Sequence, residues 1–210
     1  MLRLARWDEG DAVDLYRSKA AVARGLEPVI VWLLARRISA DALTLATIPV
    51  GLLAGACLLV SPTAPGLLLG VPILATMRLV LNLLDGAVAR RSGQTHVRGE
   101  FYNEVGDRLT DIAFLAPVAF LPGADRTTVL LGVTGAVLAS FAGVAARAAG
   151  DQRIYRGILS KPGRMVLVSG FALVALVAGP DAWVPFGAVL LVGTILTAAE
   201  RVFLAVRRLP

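Results

Sequence analysis

Residues 81–111, LNLLDGAVARRSGQTHVRGEFYNEVGDRLTD, gather side chains that could do chemistry. The stretch holds five of the fifteen acidic residues and the only histidine. With helical spacing, Arg78, Asn82 and Asp85 share one face of one helix, and Asn103 lies on a row with acids of the next helix. That second helix carries an acidic stripe of Glu100, Glu104, Asp107 and Asp111. Because acids near a bilayer are costly, we expect both polar faces to point into a helical bundle.

The residue types in this stretch favour metal and phosphate chemistry. Clustered carboxylate and amide oxygens from two helices suit a hard divalent cation, which also takes oxygens of substrate phosphates. Gly86 and Gly99 would let a bulky ligand approach the backbone closely. Arg90 supplies a planar guanidinium that matches a phosphate group. The stretch therefore predicts a metal and phosphate site at a membrane surface.

The rest of the chain predicts an all-α integral membrane protein. It is 57% hydrophobic and 17% charged, with a mean hydropathy of +0.73. A spanning helix needs roughly 20 residues. Most of the apolar runs approach this length, and the two short ones reach it if their flanking residues are helical too. Lipid favours helices, because every backbone polar group must be paired. We expect a single domain, with an interfacial segment over 1–40 and a six-helix bundle over 41–210, from apolar runs at 42–60, 67–84, 112–121, 127–146, 166–178 and 183–199.

The basic residues indicate the orientation of the bundle. The short connections 61–66, 122–126 and 179–182 hold one basic residue, Arg126, whereas the N-terminal region, the longer links and the C-terminus hold most of the others. This distribution predicts that both termini and the polar site face the cytoplasm. The same distribution favours contact of the basic residues with membrane lipids over nucleic-acid binding. Residues 8–37 read as an amphipathic helix on that face, and Asp41 is placed to cap the first spanning helix.

The spacing within 82–107 resembles the signature of the CDP-alcohol phosphotransferases, D-x2-D-G-x2-A-R-x8-G-x3-D-x3-D. Every interval matches. The sequence departs from the pattern at its first and third aspartates, which are Asn82 and Asn103. An ISADALT entry and six apolar runs extend the resemblance over most of the chain. Six of the eight fixed residues are present, namely Asp85, Gly86, Ala89, Arg90, Gly99 and Asp107.

This resemblance implies a reaction and its site residues. A CDP-linked lipid, with CDP-diacylglycerol favoured, would pass its substituted phosphate to an alcohol and release CMP in phospholipid biosynthesis. The family pattern implies one or two Mg²⁺ or Mn²⁺ ions at the four aspartate positions, a homodimer, and the last aspartate, here Asp107, as the base. Carried over by position, the metal residues are Asn82, Asp85, Asn103 and Asp107, and the nucleotide residues are Asp85, Gly86, Ala89, Arg90 and Gly99.

Neighbouring charges extend this hypothesis. Glu104, beside Asn103, is placed to compensate for a missing carboxylate at the metal site. Arg78 is placed to neutralise Asp111 or Glu104 as a buried pair. On the second basic link, a substrate phosphate of the acceptor and anionic lipid headgroups are equally suitable ligands. The acceptor-binding candidates on and after that link are Arg156, Lys161 and Arg164.

Two other functions stay open on the sequence alone. A weak or inactive relative that binds lipid or a partner protein would account for Asn82 and Asn103. An ion-coupled transporter would need polar residues that continue through the last three apolar runs, and those runs are nearly all apolar. The acceptor also stays open among glycerol phosphate, inositol phosphate, an amino alcohol and serine.

Overall fold

The computed structural model describes residues 25–93 and 97–209, and these form an all-helical bundle. Most of the amphipathic helix expected at 8–37 lies outside the described residues. Short 3-10 turns precede or follow several helices. The α-helices are α1 Glu27–Ala35, α2 Ala40–Val60, α3 Gly70–Ser92, α4 Val97–Leu115, α5 Arg126–Ala148, α6 Lys161–Ala178 and α7 Phe186–Arg208.

Five of the described helical segments are long and apolar enough to cross a membrane. Two of them include a 3-10 turn that leads into the helix. The expected all-helical membrane architecture is thus confirmed, but α4 falls outside this set because it carries six charged residues in nineteen. The five segments are Ala40–Val60, Pro65–Ser92, Arg126–Ala148, Lys161–Ala178 and Pro180–Arg208.

Capping residues set where several of these helices begin and end. Ser39, rather than the expected Asp41, caps α2, because its hydroxyl accepts the amide N–H of Ala42 at 3.2 Å. Asp125 caps α5 in the same way, accepting from the amide of Thr128 at 2.7 Å. At the other end of α3, Gly93 stops the helix with a left-handed backbone, φ 67°.

Helix α2 packs against both helices that carry the polar faces. A Cβ added at Gly55 would lie 2.6 Å from the carbonyl oxygen of Ala113, so this glycine permits close approach of α2 and α4. Helix α6 packs on α3, while α5 and α7 form a closely packed pair. The apolar core joins these groups away from the polar end, through side chains such as Leu58, Phe114 and Phe186.

Helix α1 lies against the polar end of the bundle. Its buried residues Ile30 and Leu33 pack in a small cluster with Leu84 and Val88 of α3. Glu27 at its start accepts two hydrogen bonds from Arg91, at 2.5 and 2.8 Å. These hydrogen bonds lower the pKa of the Glu27 carboxyl. The pair ties the start of α1 to the last turn of α3.

Candidate functional site

A cavity of about 510 Å³ opens at the polar end of the bundle, between α2, α3 and α4. Its walls bring together residues of the α3 and α4 sequences that were singled out by spacing. Because α3 ends and α4 begins at this level, a short link suffices to place the two halves of the signature face to face. The lining residues are Ala40, Asp41, Thr44, Asp85, Gly86, Ala89, Arg90, Val97, Gly99, Glu100 and Asn103.

Asp85 is the buried carboxylate of this cavity. It is 8% exposed and accepts a hydrogen bond from the hydroxyl of Thr44 at 2.9 Å. Thr44 was not singled out from the sequence, since a threonine within an apolar run gives no signal of its partner. One turn later, Arg90 is exposed, and its Nη1 lies 3.2 Å from where a Gly86 Cβ would stand. The glycine therefore leaves room for the guanidinium along the helix.

Behind this cavity, Lys161 joins the two halves of the signature. Its ammonium donates to Oδ1 of Asn82 at 2.6 Å and forms an ion pair with Asp107. Asn82 in turn donates through Nδ2 to the carbonyl of Arg78 at 2.8 Å. The first and last aspartate positions of the signature are thus held by one lysine from α6.

One turn deeper, two arginines share one aspartate. Arg78 is fully buried and lies 2.6 Å from Asp111, and Arg164, 2% exposed, lies 2.5 Å from the other oxygen of the same carboxylate. Arg78 also donates to the backbone carbonyl of Asp107 at 3.1 Å. Asp111, not Glu104, is therefore the partner of Arg78. We refer to Arg78, Asp111 and Arg164 as the buried triad.

Glu104 lies on a different face of α4. Its carboxylate forms ion pairs with Arg108 and Arg153, and the side chain borders a second cavity between α4 and α5. It does not line the first cavity that contains Asp85 and Asn103. With both oxygens taken by guanidiniums, Glu104 is not placed to compensate for Asn103, and we propose no metal role for it.

The three acceptor-binding candidates occupy three separate environments. Arg156 is exposed and pairs with Glu200 at 2.8 Å, and Arg164 belongs to the buried triad. Lys161 contacts Asn82 and Asp107 of the signature. The geometry therefore does not gather them into one acceptor-binding cluster. The sequence did not single out Arg201, which is buried in α7.

Arg201 fixes the link that carries these residues. It donates to the backbone carbonyls of Ala139, Tyr155 and Arg156 at 2.7–3.0 Å. From the sequence it reads as one more basic residue near a helix end, so nothing signals its structural role. By holding the link against α5 and α7, it helps to determine where α6 begins and hence where Lys161 lies.

The residues at the signature do not fit a pair of divalent ions. The four positions supply two carboxylates and two neutral amides, and Lys161 already neutralises one of the carboxylates. Two like unit charges about 4 Å apart repel by about 4 kcal/mol at an effective dielectric of 20. A divalent cation at that distance from the Lys161 ammonium would be repelled about twice as strongly. Among residues 25–93 and 97–209, no group of three or more His, Cys, Asp or Glu side chains is arranged to hold a metal ion.

Comparison with known proteins places the chain in a family. No model of a known protein family matches the sequence. It is 34% identical to the inner membrane protein YnbA of Escherichia coli over 155 residues, which cover 74% of this chain and 77% of YnbA. The chain belongs to the YnbA family. Its multi-pass helices agree with the membrane location of that relative.

Comparison with solved structures shows the fold of this chain. Phosphatidylinositol phosphate synthase PgsA1 of Mycobacterium tuberculosis with CDP-DAG bound superposes with a TM-score of 0.69, at 21% identity, over 85% of this chain and 92% of PgsA1. PgsA1 in complex with manganese and citrate superposes with a TM-score of 0.71, at 21% identity, over 87% and 89% of the two chains. This member of the YnbA family thus has the same fold as PgsA1.

Proposed function

We propose that this protein transfers a substituted phosphate group from a CDP-linked lipid, with CDP-diacylglycerol favoured, to an alcohol, and that CMP is released. One observation carries the proposal: matched signature residues of α3 and α4 line a single cavity, and Asp107 lies one turn deeper than Asn103 on α4. The fold likeness to a protein with CDP-DAG bound supports the choice of donor.

In the proposed reaction, residues that line the cavity bind the donor, and Asp107 takes up the proton. Asp85, Gly86, Ala89, Arg90 and Gly99 hold the nucleotide end of the donor, and the exposed guanidinium of Arg90 binds a phosphate oxygen. The acceptor oxygen then bonds to the β-phosphorus as the bond from that phosphorus to the CMP oxygen breaks. The hydroxyl proton passes to the carboxylate of Asp107.

We also propose that α4 is the sixth spanning helix and that the cavity faces the cytoplasm. The nineteen residues of α4 measure about 28 Å at 1.5 Å per residue, and the following 3-10 turn Ala116–Phe120 adds to that length. Arg208 near the end of α7 pairs with Asp151 at 3.8 Å. The C-terminal helix end therefore lies on the same basic side of the bundle as the second link. A homodimer is part of the proposal through the family resemblance alone.

Cysteine labelling tests this orientation. In a Cys57→Ala background, a cysteine at Arg208 is expected to be protected from a membrane-impermeant maleimide in intact cells, because the basic side faces inward. A cysteine at Ala124, in the connection between the 3-10 turn Ala116–Phe120 and α5, is expected to react. Permeabilised cells, in which both positions should react, serve as the control. The reverse pattern in intact cells would place the cavity outside.

A second candidate function is a lipid-binding relative without transfer activity. Asn82 and Asn103 favour it, as does the ion pair that occupies Asp107. The transporter alternative has less support. The buried polar residues of α7, Thr194, Thr197 and Arg201, bond to backbone groups of neighbouring segments and turns.

CMP release distinguishes the first two candidates. The purified chain is incubated with CDP-diacylglycerol and a panel of alcohols that spans glycerol phosphate, inositol phosphate, amino alcohols and serine, with and without Mg²⁺ or Mn²⁺. We expect CMP to appear with at least one acceptor. Binding of CDP-diacylglycerol without CMP release under all conditions would instead favour the lipid-binding relative.

A further inference from the structure

Lys161 contacts two of the four signature positions at once. Its ammonium has three donors, of which Asn82 takes one and Asp107 takes another. The charges of Lys161 and Asp107 also act on Asp85, so all three lie within one electrostatic neighbourhood. A positive charge that belongs to the chain therefore lies among the residues where the family pattern places cations.

The backbone around Lys161 is held on both sides by buried contacts. On one side, the amide of Leu159 donates to the hydroxyl of Thr197 at 3.0 Å. On the other, the amide of Arg164 donates to the carbonyl of Ser160 at 3.0 Å, and the Arg164 side chain is anchored in the buried triad. The position of the ammonium thus follows from how the start of α6 packs against α7 and, through the buried triad, against α3 and α4.

The charges of the site suit this lysine better than a pair of dications. Four aspartates would balance two divalent ions, whereas here two carboxylates and one ammonium leave a single net negative charge. Asp111 cannot make up the difference, since two buried arginines share it. The two Asn replacements and the lysine are therefore complementary changes within one site.

We propose that the Lys161 ammonium is the resident cation of this site, so that the positive charge that binds the donor's phosphates is built into the chain. Its third donor is the one that a phosphate oxygen of the CDP-lipid takes. The proposal rests on the proposed function for the identity of this ligand. It predicts that the wild-type protein binds CDP-lipid without a divalent metal.

Metal binding tests the proposal without any need for activity. The wild-type protein in detergent is titrated with Mn²⁺, and free Mn²⁺ is followed by electron paramagnetic resonance. We expect no saturable binding up to millimolar Mn²⁺. The triple variant Asn82→Asp, Asn103→Asp, Lys161→Met restores four aspartates and is expected to gain saturable binding. Saturable binding by the wild type would overturn the proposal, even if the triple variant fails to fold.

Lipid binding provides the second measurement. In EDTA, Lys161→Met is expected to weaken binding of CDP-diacylglycerol in mixed micelles by tenfold or more, and Lys161→Arg to retain most of it because the charge stays. Arg126→Met, at the opposite end of the bundle, is the control and should bind like the wild type. Unchanged binding by a folded Lys161→Met would overturn the proposal. If lipid binding and Mn²⁺ behave as expected but no CMP is released, the transfer function fails while the resident cation stands.

Discussion

Asp107→Asn is expected to lower CMP release by about 10²–10⁴-fold, the range that a positioned general base contributes. The amide has the shape of the carboxylate but cannot take the proton of the attacking hydroxyl. The ion pair with Lys161 fixes the Asp107 carboxylate one turn below Asn103, which lines the cavity. The measurement is the initial rate of CMP release at saturating donor and acceptor, together with the binding of CDP-diacylglycerol, which should change much less.

Asp125→Asn is the matched control for this prediction. Asp125 caps α5 at the other end of the bundle, and asparagine caps helices about as well as aspartate. Its rate should equal that of the wild type. A folded Asp107→Asn protein with the wild-type rate would remove Asp107 from the proton transfer and leave it only as the counter-ion of Lys161.

Asp111→Asn is expected to lower the free energy of unfolding by about 3–5 kcal/mol, the usual effect of removing one member of a buried ion pair. The carboxylate is shared by Arg78 and Arg164, both of which are almost fully buried. Asparagine preserves the volume but leaves two guanidiniums in the bundle without a counter-charge. Unfolding in detergent, followed by denaturant titration, measures the loss.

Glu200→Gln provides the comparison for the triad. Glu200 pairs with Arg156 at 2.8 Å, but the Arg156 side chain is 67% exposed. Exposed pairs contribute at most about 1 kcal/mol, because water and salt screen them. Equal losses for Asp111→Asn and Glu200→Gln would show that the triad does not stabilise the bundle through its charges.

Much of the fold was predictable because lipid restricts what an apolar chain can do. Apolar runs inside a membrane must be helical, because lipid offers the backbone no hydrogen-bond partners. The structure has candidate spanning helices over five of the six predicted runs, all but 112–121. Whether α4 spans the membrane was harder to predict from the sequence. Its charged residues lower its mean hydropathy, and hydropathy does not show whether those charges point into a helical bundle. Its packing against α2, through glycines such as Gly51 and Gly55, is a tertiary property that apolar runs do not reveal.

Part of the candidate site was also predictable. Helical spacing predicts Asp85 on the polar face of α3, and the signature adds Arg90. Both line the cavity, as does Asn103 of α4. Glu104 shows where spacing stops being informative. Glu104 lies on the same stripe of α4 as Asp107, but its side chain leaves the helix about 60° further around the axis. That difference is enough to direct it to Arg108 and Arg153.

The residues alone therefore establish a helical membrane protein and two polar helix faces with a signature of rigid spacing, because helix periodicity and the cost of burying charge act locally along the chain. Only the tertiary structure decides which charges meet. Lys161 is 54 residues from Asp107 and 79 from Asn82 in the chain, and Arg164 reaches Asp111 across 53. These partners depend on how α6 packs against α3 and α4, and that packing is the sum of many contacts that no local pattern specifies.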